Sequence, residues 1–268
     1  MSDERRRGAR GDGAPQRRWR EERSVQEDAR ILLPGIQAIS ALLQHAPERI
    51  IELKYQGKLQ GARAELIARA EALGVSCRQV RQRELENDLP EVKNQGLLAV
   101  AESAPATAWE ELLVSRPQRI VALDQVTDPR NLGAILRSAE ALGVGGALLT
   151  SNRCARRGPV VARSSAGASE LIPVSTVTNL SRALRESKEH GYWIVGADMG
   201  GTPAAEVDWD RPTLFVIGAE GRGLRPSTRG CCDLLVSVPL SGVTESLNAA
   251  VAASLLFYEA GRRGCAPK

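Results

Sequence analysis

The clearest helical period in the chain runs from Asp128 to Val144. Leu132, Ile135, Leu136, Ala139 and Leu142 recur at three- and four-residue steps, so one face is apolar. Asp128, Pro129 and Asn131 stand before it as start signals. Further helices are predicted at residues 159–168, 179–190 and 246–262. Between the helices lie short apolar runs that do not alternate: "RIVALDQV", "GALLT", "YWIVGAD", "TLFVIGA" and "LLVSVPL". Such runs suit strands buried on both faces, as in a parallel sheet covered by helices.

The first half has the same mixed character. "GIQAISALLQHA" reads as an amphipathic helix, "RIIELKY" as a strand, and "GARAELIARAEALGV" as a second helix ending at Gly74. "SCRQV" and "QGLLAVAES" read as further strands. This alternation predicts a small α/β domain over residues 31–103. "APATAWEELLVSRP", residues 104–117, reads as a linker with a short helix, and residues 118–268 form a second α/β domain. No internal repeat is visible.

Composition narrows the classes. A chain of 268 residues suits two domains. With 43% hydrophobic but only 3% aromatic residues, the cores must be filled by Leu, Val, Ala and Ile. The net charge of +4 is uneven: residues 1–20 carry seven Arg against Asp3, Glu4 and Asp12. Residues 1–30 are poor in apolar side chains and read as a disordered basic tail. Such a tail can hold RNA phosphates or serve only as a solubilising extension. Five cysteines without a C-x-x-C pair, beside two His, argue against a zinc site and for reduced thiols in the cytosol. No apolar run reaches the roughly 18 residues of a membrane span, and the Arg-rich start lacks the apolar segment of a secretory signal.

Three segments follow strands in the second half, where open parallel sheets bind ligands. The first is "DPRNLGAILRSAEALGV". The second, "IGAEGRGLR", has Gly218, Gly221 and Gly223 around a lone carboxylate, Glu220. Its glycines permit positive φ and close ligand approach, but it is neither a P-loop nor a G-x-G-x-x-G turn. The third, "VPLSGVTESLNAAVAASLLFYEA", offers Ser246 or Thr244 as a helix cap. Asn248 then falls in the first turn beside exposed N–H groups, a position that suits contact with a polar ligand.

Together, in this order, the three segments resemble the SpoU family of the SPOUT superfamily, the RNA ribose 2'-O-methyltransferases. "GIQAISALL" and "NQGLLAV" resemble the small ribosomal-protein-like RNA-binding domain of two-domain members. The resemblance implies a parallel sheet with a deep trefoil knot, S-adenosylmethionine bent within it, and a homodimer with the active site near its interface. Gly218, Val238 and Leu247 would contact the cofactor; Asn131, Arg137, Glu220, Ser246 and Asn248 match the catalytic polar set. The implied substrate is structured RNA, with a guanosine of 23S rRNA expected; no metal or membrane is implied. Two other readings stand beside it: the same reaction on tRNA, and a non-catalytic RNA-binding assembly factor.

Within the resemblance, Arg137 is the proposed activator of the 2'-hydroxyl. A guanidinium holds its proton tightly, so it is an unusual base. A substrate phosphate could shuttle the proton, or Arg137 could only orient that phosphate and steady the developing alkoxide. Helix geometry expects Arg137 to lean over Ala134 and Gly133, both small, toward Asn131. Where many two-domain members have His, this chain has Gln37 and Asn94; with Gln95, these are candidate RNA contacts or turn and capping residues.

Overall fold

The computed structural model describes residues 30–90 and 92–262. The tail expectation therefore falls outside the described residues, except at Arg30, which already stands in a strand.

The first unit holds strand β1 (Arg30–Pro34), helix α1 (Ile36–His45), β2 (Ile50–Gln56), α2 (Ala62–Ala72), β3 (Ser76–Val80), α3 (Gln82–Asp88) and β4 (Leu97–Glu102). The strands form a four-stranded sheet in the order β1-β4-β2-β3. β4 runs antiparallel to both β1 and β2, while β2 and β3 are parallel. Leu33, Leu53, Leu97 and Ala99 meet Ile39, Leu42, Leu66 and Ile67 of α1 and α2 in one core. Leu98 joins Val80, Leu85 and Leu89 in a smaller cluster that includes α3. β1 and α3 are additions to the elements expected from the sequence.

Helix α4 (Trp109–Ser115) leads into the second unit, which continues with β5 (Arg119–Asp124), α5 (Pro129–Ala141), β6 (Ala147–Thr150), α6 (Pro159–Ser164), β7 (Val174–Val177), α7 (Leu180–Glu189), β8 (Trp193–Pro203), β9 (Thr213–Gly218), α8 (Pro226–Arg229), β10 (Leu234–Ser237) and α9 (Ala249–Gly261). The sheet is six-stranded, in the order β10-β8-β9-β5-β6-β7, with every pairing parallel. β5 explains the non-alternating runs: Val121 and Leu123 enter one core, Ile120 and Ala122 the other. Both faces are buried, so the four positions from Ile120 to Leu123 are all apolar. The predicted helix at 159–168 ends earlier than expected, with α6 closing at Ser164, and β7 is an unexpected edge strand.

α5 begins as its sequence implies. Asp128 caps it, accepting from the Arg130 N–H at 2.8 Å, Pro129 takes the first helical position, and Gly143 at φ 74° follows the last turn.

The two units are joined closely. Ala162 of α6 belongs to the core of the first unit. A Cβ on Gly167 would lie 2.9 Å from the Ala38 carbonyl of α1, so α1 packs directly on that backbone. Arg49 donates to the Glu102 carbonyl (2.8 Å), the Glu170 carbonyl (2.8 Å) and the Glu170 carboxylate (2.8 Å). The same carboxylate accepts from the Ala104 N–H at 2.9 Å.

Candidate active site

β5 and β9 lie side by side, so the segments that leave their C-terminal ends share one edge of the sheet. Asn131, in the first turn of α5, donates through Nδ2 to Glu220 at 3.1 Å. Asn248 donates through Nδ2 to Asn131 Oδ1 at 2.9 Å and to Glu220 Oε1 at 3.2 Å. Three residues far apart in sequence thus form a closed triangle.

Asn248 also corrects the expected cap. Neither Ser246 nor Thr244 caps α9; Asn248 is the cap, its Oδ1 accepting from the N–H groups of Ala250 (2.9 Å) and Val251 (3.4 Å). The chain runs as an irregular loop through Leu247 and turns helical only after Asn248. One amide therefore does two tasks. Its oxygen is committed to the helix, which leaves its nitrogen facing the triangle and fixes the orientation of Asn131 in turn.

Beside the triangle lies a cleft of about 320 Å³ whose walls include Gly218, Glu220, Val238, Ser246 and Leu247. Ile217, Val236 and Leu256 deepen its apolar side. A volume near the lower end of the usual ligand range, with apolar walls and a few polar groups at one end, suits a nucleoside-sized molecule. The proposed cofactor contacts thus come together, and the residues present fit S-adenosylmethionine.

Gly218 is required for a different reason than positive φ. A Cβ there would stand 2.3–2.6 Å from the backbone of Gly223 and Leu224. The loop folds back on itself through Ala219 and Gly223, which exchange two backbone hydrogen bonds of 3.1 and 2.8 Å. Gly221 and Gly223 do take positive φ, 76° and 63°. The loop exit is pinned to β5: Asp124, fully buried, accepts from the Arg225 N–H at 3.0 Å and from its guanidinium at 2.6 Å.

A further wall comes from Ala197, Asp198 and Met199, which sequence reasoning did not single out. β8 pairs with β10 up to Gly196, then skips to Thr202, so the residues between bulge away from the ladder. Gly201 lies against the Leu235 backbone, where a Cβ would meet atoms at 2.5 Å. The one local signal is the Gly200-Gly201 pair, which lies just beyond the strand predicted at "YWIVGAD".

Arg137 is exposed on α5 and makes no hydrogen bond or ion pair among the described residues. The expected groove for it is partly filled. Gly133 is buried against α6, where a Cβ would lie 1.9 Å from Ser164 Oγ and 2.9 Å from the Val161 carbonyl. Its smallness lets two helices meet rather than making room for the arginine. Ser246 is exposed on the cleft wall and takes no part in the triangle. Burial raises the Cys154 thiol above its ordinary range and pushes Cys232 up to about 12, which keeps both protonated and poorly nucleophilic. Among the described residues, no group of three or more His, Cys, Asp or Glu is placed to hold a metal ion, and no helix is long and apolar enough to cross a membrane.

In the first unit, Asn94 accepts from the Gly96 N–H at 3.0 Å, and Gln95, at φ 55°, accepts from the Ile36 N–H at 3.4 Å. These are turn and helix-start roles, one of the alternatives the sequence left open. Gln37 is exposed in the first turn of α1.

Comparison with known proteins fits both units. The model of the SpoU rRNA Methylase family matches residues 118–258, and that for RNA 2'-O ribose methyltransferase substrate binding matches residues 32–106. A 23S rRNA (guanosine-2'-O-)-methyltransferase RlmB of Shewanella oneidensis is 40% identical over 235 residues, covering 85% of this chain and 96% of that one. The RlmB of Bordetella pertussis is 38% identical over 237 residues, covering 87% and 97%. The SpoU methyltransferase AviRb of Streptomyces viridochromogenes, solved in complex with AdoMet, superposes with a TM-score of 0.71 at 29% identity, covering 94% of each chain.

Proposed function

The chain belongs to the SpoU family of rRNA methylases, S-adenosylmethionine-dependent RNA 2'-O-methyltransferases, and from that premise we propose that its target is a guanosine ribose in 23S rRNA. The observation that carries this reading is the Asn131–Glu220–Asn248 triangle at the mouth of an apolar cleft. The two RlmB relatives support the choice of substrate, and the segment at residues 32–106 supports a large structured RNA over a small one.

S-adenosylmethionine supplies an already activated sulfonium methyl group. Gly218, Val238 and Leu247, which line the cleft, would hold it there. Asn131, Glu220 and Asn248 form the polar end against which the ribose is aligned, and Ser246 lines the approach. Arg137, with a guanidinium unpaired among the described residues, binds the phosphate beside the target ribose and steadies the charge that develops on the 2'-oxygen, while that phosphate relays the departing 2'-hydroxyl proton to solvent. With the cofactor bound, holding the ribose against this polar end would supply much of the remaining work by positioning alone.

The second copy of a homodimer covers α9 in this reading. That helix is apolar nearly all round, yet Val251, Leu255 and Tyr258 are 47%, 41% and 55% exposed, on one stripe. A helix apolar all round is normally buried. The deep knot is proposed for the chain from β10 through α9. β10 is an edge strand beside β8, whereas α9 packs on α5, and residues 238–248 connect the two. A protein acting on 23S rRNA works where ribosomes are assembled, so we place it in the cytoplasm.

The test is transfer of a labelled methyl group to 23S rRNA and tRNA transcripts, with the modified position mapped by mass spectrometry. One 2'-O-methylguanosine in 23S rRNA is expected, with Arg137→Ala slowing transfer by about a hundredfold or more. Methylation of tRNA alone would replace the proposed substrate; no transfer to either RNA would overturn the reading.

A further inference from the structure

The loop between β6 and α6, residues 151–158, belongs to none of the three segments that carried the functional reading. It reads Ser-Asn-Arg-Cys-Ala-Arg-Arg-Gly and contains no acid. It mixes partly buried and exposed positions. Cys154 and Ala155 tuck against the main core of the second unit, while Arg153 and Arg156 on either side are exposed. Neither exposed guanidinium makes a hydrogen bond or ion pair among the described residues. Arg153 is held at φ 56°, a left-handed conformation that residues other than glycine seldom adopt.

Two points in the second half of this loop, Ala155 and Arg157, are tied to places that matter. The Ala155 N–H donates to the Val126 carbonyl at 2.8 Å, so the loop lies along the segment that delivers Asn131 to the triangle. Arg157 donates to the Ala104 carbonyl at 2.9 Å, at the end of the stretch that matches the substrate-binding family. The loop is thus a short bridge from the substrate-binding unit to the catalytic edge. Its third arginine anchors the bridge, and the other two are left free on its surface. The two acids that flank Val126 are already engaged: Asp124 with Arg225, and Asp128 with capping α5.

We propose that Arg153 and Arg156 are RNA-positioning residues, each contacting a backbone phosphate of the strand that runs from the substrate-binding unit to the ribose being methylated. This rests on the RNA 2'-O-methyltransferase reading above. Phosphate contacts set register without reading sequence, and each adds to the salt dependence of binding. Two arginines unpaired among the described residues on a rigid bridge give fixed points for a strand that must present one ribose out of many.

The experiment uses the full chain and measures RNA affinity by fluorescence anisotropy at several salt concentrations. For R153Q/R156Q, the slope of log affinity against log salt should fall by about 1.5, since each phosphate contact contributes about 0.7–0.9. KM for RNA should rise at least tenfold, while S-adenosylmethionine affinity and Tm stay near wild type. R153K/R156K should restore the slope, because a phosphate accepts either cation. An unchanged slope in the glutamine variant, or failure of the lysine variant to restore it, would overturn the proposal. Failure of the functional reading is separate: wild-type protein would bind RNA with a normal slope yet transfer no methyl group.

Discussion

At the scale of single residues, the informative case is Asn248, because one side chain carries a structural and a chemical task at once. The two separate by substitution. Asn248→Asp keeps an oxygen for the Ala250 and Val251 N–H groups and adds negative charge at a helix start, so α9 should remain capped. It removes the donor to Asn131 and Glu220 and sets a second carboxylate against Glu220. We expect Tm within a few degrees of wild type with methyl transfer reduced about a hundredfold. Asn248→Ala should lose both, with about 1 kcal/mol of stability gone as well. Equal activity of the Asp variant and wild type would mean that the triangle is only scaffolding. The sequence marked Asn248 as unusual but assigned the cap to Ser246 or Thr244. The reason is tertiary: the chain stays non-helical along the cleft wall until Asn248 reaches partners 117 and 28 residues away.

At the scale of elements, what could be read in advance depended on how much of each element's setting is local. α5 carries its cap, its proline and its apolar stripe in consecutive residues, and its course matches the period. β1 and β7 are short edge strands, each paired with one neighbour, and their sequences carry little pattern of their own. The bulge in β8 depends on contact with Leu235 and is invisible in one segment. The glycine-rich loop lies between these cases: its conformational freedom was legible, but the self-contact that demands Gly218 was not. Gly218→Ala tests that contact. A methyl group 2.3–2.6 Å from the Gly223–Leu224 backbone cannot be accommodated in place. The loop should shift, costing about 1–3 kcal/mol in urea unfolding and weakening S-adenosylmethionine binding measured by calorimetry. A variant that binds with wild-type affinity would show that the loop is not what shapes the cleft.

At the scale of the whole molecule, the alternation of elements was enough to expect two α/β units, but nothing in it foretold that they would be bolted together. Residues 104–117 read as a linker, yet Ala104 is hydrogen-bonded on both sides, to Glu170 and to Arg157. The bolt is the Arg49–Glu170 pair, with side chains 14% and 2% exposed, joining the end of one sheet to the turn after α6. Breaking a buried pair from one side costs more than the pair contributes, because the remaining charge stays buried without its partner. Glu170→Ala should therefore destabilise the protein by about 3 kcal/mol. It should also raise hydrogen exchange across residues 103–108, since the Ala104 N–H loses its acceptor. If the fixed spacing between the units is what brings a chosen ribose to the triangle, the same variant should lose accuracy as well as stability. Under conditions where it remains folded, 2'-O-methylation should spread to neighbouring nucleotides. Retained accuracy in a variant with demonstrably freer units would assign target choice to the RNA-contacting surfaces alone, independent of the joint between them.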